Sequence, residues 1–375
     1  MLKDSVAVID VGSSKITGMI GENGVNENFI IRAYTEMPTF VISTGEIESV
    51  EEFSSVIKKV FVSLEESARA KISEVHFSVP SNFLAVRNSS QQMYLNKRKK
   101  LKKRDVEEYL SAASKPLYVA GYELVDCTGV QYLLDGQKRV TTLTGNVTSS
   151  ITGMTTFYFA EKTFVKAVRD TLSSIGVKKV KFVPVPVAES LLLFSEKERF
   201  AFEVLIDVGC SVTSFSVLYG GGVLYNTSFA LGGGYITAYL MQRFNLKSYD
   251  LAEKIKRKLN LTVSPDYNGF YEVSDGDNMY RYPQQACNEV ARFMISELAE
   301  KIDEAIKGCN VRLPSDYNLS LTGGGIAYVR GAKEFLFGAV EIPVNVLCPK
   351  TSYMAKPEET SKMAVLNYAL NYKGV

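Results

Sequence analysis

Hydrophobic positions along the chain switch between two periods, and each switch marks an element. Val6 to Ile9 is aliphatic without alternation and runs into Asp10, the pattern of a strand buried on both faces of a sheet. Gly12 permits a sharp turn. Ser13, Ser14 and Lys15 follow at the tip, and Ile16 to Ile20 predicts a return strand. Phe29 to Tyr34 predicts a third strand. From Ser49 to Ala70 the residues Val50, Phe53, Val56, Ile57, Val60, Phe61 and Leu64 recur at helical spacing, with Glu51 and Glu52 in the first turn. Glu74 to Val79 is a further strand, stopped by Pro80.

The opening plan recurs about two hundred residues later. Val204 to Ile206 runs into Asp207, then Val208, Gly209, Cys210, Ser211, Val212, Thr213 and Ser214, and Phe215 to Leu218 leads to a Gly220-Gly221-Gly222 turn. Two buried strands that each end in Asp-Val-Gly-hydroxyl predict two similar halves with facing tips. Clustered amides at such tips form a phosphate cradle. Asp10 and Asp207 would then reach a hydrated Mg²⁺, an ion usually held by one or two carboxylates plus waters. A third glycine cluster, Gly323, Gly324 and Gly325 followed by Tyr328, stands where the strand Asn318 to Thr322 meets a helix, and leaves bare backbone for a flat base or ribose.

Between these landmarks Phe83 to about Ala160 predicts a strand (Leu84 to Arg87), a basic loop, a helix (Lys103 to Ala113) and strands at Tyr122 to Val130 and Val140 to Ser149. Glu161 to Ile175 is a helix with Gly176 as its cap. Pro184 to Phe194 is a helix that crosses between the halves. After a strand at Val223 to Phe229, Gly232, Gly233 and Gly234 open a helix through Gln242, another place for phosphate or sugar to meet free amides. Leu246 to Leu259 is a charged helix, Leu261 to Met279 a polar loop, Tyr282 to Lys307 a long amphipathic helix, and Pro357 to Asn371 the last helix.

Composition removes several chemistries. The 375 residues carry a net charge of +2, so no global field favours nucleic acid. The five cysteines lack C-x-x-C spacing, which indicates neither a zinc site nor a disulfide framework and suits a reducing cytoplasm. His76 is the only histidine and lies in a predicted strand, so hydrolases built on an imidazole base are untenable and a structural role is expected for it. Met1 to Asp4 leads directly into the first strand without a signal peptide, and no apolar run approaches the ~20 residues of a membrane span.

The three glycine clusters in this order, with Pro184 to Leu193 between them, resemble the phosphate-1, connect-1, phosphate-2 and adenosine motifs of the actin and Hsp70 ATPase superfamily. Within it the chain resembles the FtsA cell-division family, through Tyr132-Leu133-Leu134-Asp135-Gly136-Gln137, Gly232 to Thr237 and Ala252 to Lys256. The resemblance implies an actin-like (ribonuclease H-like) duplicated two-lobe α/β fold with an inserted α+β subdomain of the 1C type. Its subdomains would be 1A at 1–82 and 161–195, 1C at 83–160, 2A at 196–247 and 317–375, and 2B at 248–316. It also implies ATP with Mg²⁺ as ligand, with Glu253 and Lys256, three apart on one helix face, at the ribose and base; an intrahelical ion pair is the plainer reading of those two. The implied role is to polymerise into filaments and link the FtsZ ring, through its C-terminal tail bound at 2B, to the inner face of the cell membrane at the division site. A PilM-like pilus-assembly protein and a sugar kinase of the same superfamily are the alternatives.

Departures from the family pattern change the expected chemistry. In the second phosphate loop Cys210 and Ser211 replace glycines, Val212 a threonine, and Ser214 the closing aspartate; Cys210 reads as a small filler in a tight turn. The residue that orients attacking water in hydrolytic relatives corresponds to Val185, and bringing Glu189 into that role requires a shift of four residues. Nucleotide is therefore expected to be held more firmly than it is hydrolysed. The amphipathic membrane helix common in the family is absent from these 375 residues. Residues 97–104 place seven basic residues in eight positions, a candidate contact for anionic membrane. No aromatic residue is interleaved to stack on bases, so nucleic acid is not expected there.

Overall fold

The computed structural model describes residues 5–25, 28–43, 45–264 and 268–375; the expectations for Met1 to Asp4 and for Pro265 to Tyr267 lie outside the described residues. The first half contains β1 (Val6–Val11), β2 (Lys15–Asn23), β3 (Phe29–Pro38), the two-residue strands β4 (Ile42–Ser43) and β5 (Glu46–Ile47), α1 (Val50–Ala68) and β6 (Glu74–Val79). An insert follows with β7 (Leu84–Lys100), α2 (Lys103–Ser114), β8 (Tyr122–Leu134), β9 (Lys138–Val140) and β10 (Val147–Glu161). The chain returns through α3 (Lys162–Ser174), β11 (Lys179–Pro184), α4 (Val185–Leu193) and α5 (Glu196–Arg199). The second half contains β12 (Glu203–Val208), β13 (Thr213–Tyr219), β14 (Gly222–Phe229), α6 (Gly233–Phe244), α7 (Tyr249–Lys256), β15 (Phe270–Asp275), β16 (Asn278–Pro283), α8 (Gln284–Gly308), β17 (Leu319–Thr322), α9 (Ala332–Val340), β18 (Val344–Val346) and α10 (Thr360–Asn371).

The duplication is visible in the sheets. One is ordered β3-β2-β1-β6-β11 and the other β14-β13-β12-β17-β18. In each, an antiparallel three-stranded meander continues into two parallel strands. Parallel neighbours require crossover connections, which α1 and α3 supply in the first half and α8 and α9 in the second. Asp10 stands opposite Thr17 and Asp207 opposite Ser214, so both acids occupy the penultimate position of an equivalent strand. Two large cores result, and Leu205, Leu218 and Val223 of the second sheet pack into the first of them. Val8, Ile9, Phe53, Ile57, Phe77 and Phe164 lie in the first, and Val204, Ile206, Phe215, Ile295, Leu298 and Leu319 in the second. The α1 helix begins where Ser49 accepts the Glu52 amide and ends at Arg69 in the left-handed region (φ 49°).

Several element boundaries differ from expectation for identifiable reasons. The strand expected to end at Arg87 continues to Lys100, because β10 pairs with it along nearly its whole length and satisfies a mostly polar run in which only Met93 and Leu95 pack on the insert's core. The basic loop is therefore a strand end plus a helix start. Within it Lys99 pairs with Asp105 (2.5 Å), Arg98 with Asp135 (3.5 Å) and Lys103 with Glu107 (3.7 Å). The strand expected at Val140 to Ser149 is two strands, β9 and the start of β10. The polar loop expected at Leu261 to Met279 contains most of a hairpin, β15–β16, turned through Gly276 at φ 58°. The charged helix is shorter than expected, at Tyr249–Lys256.

The last helix packs into the first core. Residues 317–375 were expected in 2A, but Met363, Ala364, Val365, Leu366 and Tyr368 of α10 are buried in the first core. Its weak amphipathicity follows from that placement, since α10 is covered by α4 on one side and by β1 and β2 on the other.

Candidate functional site

The two hairpin tips meet across a cavity of about 630 Å³, within the ~300–1,000 Å³ usual for small-molecule sites. Both tips are closed in the same way: the Gly12 amide donates to the Lys15 carbonyl and the Gly209 amide to the Val212 carbonyl, each at 2.9 Å. The Ser211 amide donates to Ser13 Oγ (3.0 Å), which ties the two halves directly together. Asp10, Gly12, Ser13, Ser14 and Lys15 line the cavity from the first half, and Asp207, Gly209, Cys210 and Val212 from the second. Cys210 Sγ lies 3.6 Å from Tyr249 Oη, so its thiol packs against the cavity wall.

Three carboxyl groups converge beneath the tips. Asp10 is buried, and burial raises its pKa despite the Ser361 hydroxyl donating to Oδ1 (2.8 Å), the Ser78 hydroxyl, and the charges of Lys362 and Lys15. Burial and then repulsion from Asp10 raise Asp207 as well. Glu189 on α4 is 1% exposed and its Oε1 has no hydrogen-bond partner; burial, then Asp207 and Asp10, push its pKa well above the ordinary range. A divalent cation between the two aspartates would supply the missing counter-charge, so the residues fit Mg²⁺ held by Asp10 and Asp207 with waters completing its shell. Among the described residues no group of three or more His, Cys, Asp or Glu forms a protein-only metal cage. Val185 lines the cavity as expected. A carboxyl group nevertheless stands beside the aspartates, and sequence alignment with the family motif missed it by one helical turn.

The glycines of the third cluster divide their work. Gly323 has φ 90°, and a Cβ there would stand 2.1 Å from Asp207 Oδ1 and 2.4 Å from the Val208 carbonyl. Gly325 is equally pinned, its amide donating to the Val208 carbonyl at 2.7 Å. Gly324 faces the cavity, with only Glu358 near its missing side chain (3.1 Å). Glu253 and Lys256 form the ion pair of the plainer reading (2.7 Å) and also line the cavity. Burial raises the Glu253 carboxyl, but the Lys256 ammonium and hydrogen bonds from Lys256 and Thr237 outweigh it and hold it below the ordinary range. Tyr328 stands behind them, donating to Glu253 Oε1 (3.3 Å) with Arg257 over its ring at 5.4 Å.

Two predicted contributions are not as expected. The amides of Gly233 and Gly234 are taken by the carbonyls of Gly209 and Cys210 (2.9 and 2.8 Å), so they are not free for a phosphate. A Cβ at Gly232 would stand 2.5 Å from the Cys210 carbonyl, and one at Gly233 2.2 Å from that of Gly325. The cluster is thus the close-packed seat behind the second tip. Thr213 likewise is fully buried and donates to the Leu231 carbonyl (2.6 Å).

Conversely, the first turn of α10 reaches the cavity. Besides Ser361, Lys362 lines it while bound to Glu359 (2.6 Å) and to Tyr34 Oη (3.0 Å), and Lys15 is held by Glu36 (2.9 Å). No motif marks Ser361 or Lys362, because only the fold brings them to Asp10.

No family model matches the chain. Over 98% of its length it is 22% identical to the cell division protein FtsA of Neisseria meningitidis serogroup B, covering 91% of that protein. Among solved structures it is similar to the PilM-PilN type IV pilus biogenesis complex (TM-score 0.63, 16% identity, 98% of each chain). It is also similar to MreB 5 of Spiroplasma citri bound to AMPPNP (TM-score 0.55, 12% identity, 97% of this chain and 96% of that one). The chain has the actin-like fold and is FtsA-like along nearly its whole length.

Proposed function

We propose that this chain is an ATP-binding cell-division protein that works as FtsA does, joining a polymer of the division machinery to the membrane. The observation that carries the nucleotide reading is the pair of identically closed tips, joined through Ser211 and Ser13, above two buried aspartates. In this reading the amides of Ser13 and Ser14 and of Cys210 and Val212 cradle the phosphates from both sides, those of Gly12, Gly209 and Ser211 being used to close and join the tips. Lys15 adds positive charge, Gly324 leaves room for the base, and Glu253 and Lys256 meet the ribose and base. Bound Mg²⁺ would neutralise phosphate charge. Asp10 is oriented by Ser361 and Ser78, and Gly323 keeps Asp207 in place by having no side chain. Glu189 lies behind the aspartates on α4, and the apolar Val185 lines the cavity where hydrolytic relatives of the resembled family orient water, which supports slow hydrolysis. Calorimetric titration with ATP and Mg²⁺ tests this, with binding at one site expected. Failure to bind either ATP or ADP would overturn it.

The partner roles are the FtsZ C-terminal tail at the 2B segment (248–316), self-association into filaments, and anionic membrane contacted by the basic residues 97–104. At the membrane such residues contribute about 1 kcal/mol each when within reach. Three of them carry intramolecular ion pairs, two of them with strongly exposed basic partners, which screening makes weak. Co-sedimentation with the tubulin-like polymer, and with anionic against neutral vesicles across a salt series, tests these roles. No binding to the polymer would refute the first, and equal binding to both lipids the last. The TM-score of 0.63 to the PilM-PilN complex favours one second reading, an adaptor for a membrane protein's cytoplasmic tail. A chain that binds such a tail and ignores the division polymer would establish it.

A further inference from the structure

The carboxyl groups around the glycine loop of the third cluster are not all engaged. Glu253 accepts from Lys256 (2.7 Å), Thr237 (2.8 Å) and Tyr328 (3.3 Å), and Glu359 is paired with Lys362 (2.6 Å). Asp250 also lines the cavity, but it is exposed to water. Glu358 is different. It lines the cavity half-buried, and among the described residues no amide or side chain donates to it and no cation pairs with it.

The backbone around Glu358 fixes where that group stands. The Gly323 amide donates to the Pro357 carbonyl (3.3 Å), which draws the turn Pro357–Glu359 onto the glycine loop. On the other side of the turn, Ser361 ties the start of α10 to Asp10 (2.8 Å). A Cβ at Gly324 would stand 3.1 Å from Glu358 Cβ and 3.6 Å from its Cα. Glu358 is therefore next to the surface that Gly324 leaves bare. The other charged side chains lining this end, Lys256 and Arg257, can only donate, so Glu358 is the acceptor still open to a ligand.

An acceptor taken partly out of water without a donor is costly, and a ligand that brings the donor recovers that cost. Adenine joined to ribose has one N–H donor, its exocyclic amino group. Hypoxanthine and guanine carry a carbonyl oxygen in that place, and unsubstituted purine carries neither. We propose that Glu358 selects the base, accepting from the amino group of adenine and repelling the carbonyl oxygen of the oxopurines. This proposal rests on the nucleotide reading and names the residue that chooses among nucleotides. Phosphates, Mg²⁺ and ribose are common to all of these ligands, so their contacts cancel when affinities are compared as ratios.

Calorimetric titration of the whole chain with ATP, ITP, GTP and purine riboside triphosphate, each with Mg²⁺, tests it. ATP should bind at least about tenfold more tightly than ITP, the size commonly carried by one hydrogen bond to a charged group, with the unsubstituted purine between them. Glu358→Gln, whose amide both accepts and donates, should bring ATP and ITP within about threefold of each other. Glu358→Ala should lower the affinity for ATP to that for the unsubstituted purine. Both variants should melt like the unmodified chain, since Glu358 gives up no partner within the protein. ATP and ITP bound within about threefold by the unmodified chain, or GTP bound more tightly than ATP, would overturn the proposal and leave the nucleotide reading standing. A preference for ATP that survives undiminished in both variants would assign the selection to another group and overturn it too. Binding of none of the ligands would overturn the nucleotide reading and this inference with it.

Discussion

Gly324→Phe separates binding from folding at the adenosine loop. Gly324 does not lie in the left-handed region, so a side chain adds no backbone strain, and its Cβ meets only Glu358 at 3.1 Å, a contact that yields by a few tenths of an ångström. Beyond Cβ the phenyl ring enters the cavity, where a base would lie against the loop. Losing ~100 Å² of base burial at ~25 cal/mol per Å² costs about 2.5 kcal/mol, roughly 70-fold in Kd. Melting should stay within about 2 °C of the unmodified chain, because the ring displaces water and not protein. Gly324→Ala, which stops at Cβ, should change affinity less than about threefold, since it buries none of the base's area. Calorimetry with ATP and Mg²⁺, paired with thermal melts, measures all of this. An ATP affinity in Gly324→Phe within about threefold of the parent, with normal melting, would refute both the loop assignment and the area reasoning.

Gly323→Ala should behave differently, because its Cβ would overlap Asp207 Oδ1 at a φ of 90°. We expect ~1–3 kcal/mol of lost stability and a weaker dependence of ATP binding on Mg²⁺, read by melting and by titration with and without the ion. Burial, then the charge of Lys181, lowers the pKa of His76 from 6.5 to about 4. Its folded pKa lies below its unfolded one, so the stability it contributes is complete above pH ~6.5 and is lost as pH falls toward 4. The full loss is about 3 kcal/mol, and chemical denaturation of His76→Gln should show a shallower decline between pH 7 and 4.5. ATP turnover should lie well below ~10 s⁻¹, the median for enzymes, and a phosphate-release rate at that median would show that Glu189 or another group activates water after all.

Much of the architecture was legible in the chain because it repeats. Unalternating aliphatic runs into Asp10 and Asp207, each followed by Gly and hydroxyls, announce buried strands with paired tips, and the two sheets share one topology. Helices with strong periodicity, such as α1, were equally plain. The elements that escaped were those whose stability is supplied by a partner distant in sequence. The second half of β7 is mostly polar, with only Met93 and Leu95 packed on the insert's core, and it is held by its pairing with β10. Gly233 and Gly234 present amides that look free until Gly209 and Cys210 are folded onto them. Ser361, 351 residues from Asp10, carries no local signature of its hydrogen bond to that carboxylate. Local sequence specifies backbone conformation and which faces are apolar; which side chain meets which across the cleft depends on how the two lobes pack, and for Glu189 that packing alone placed an acid among the aspartates.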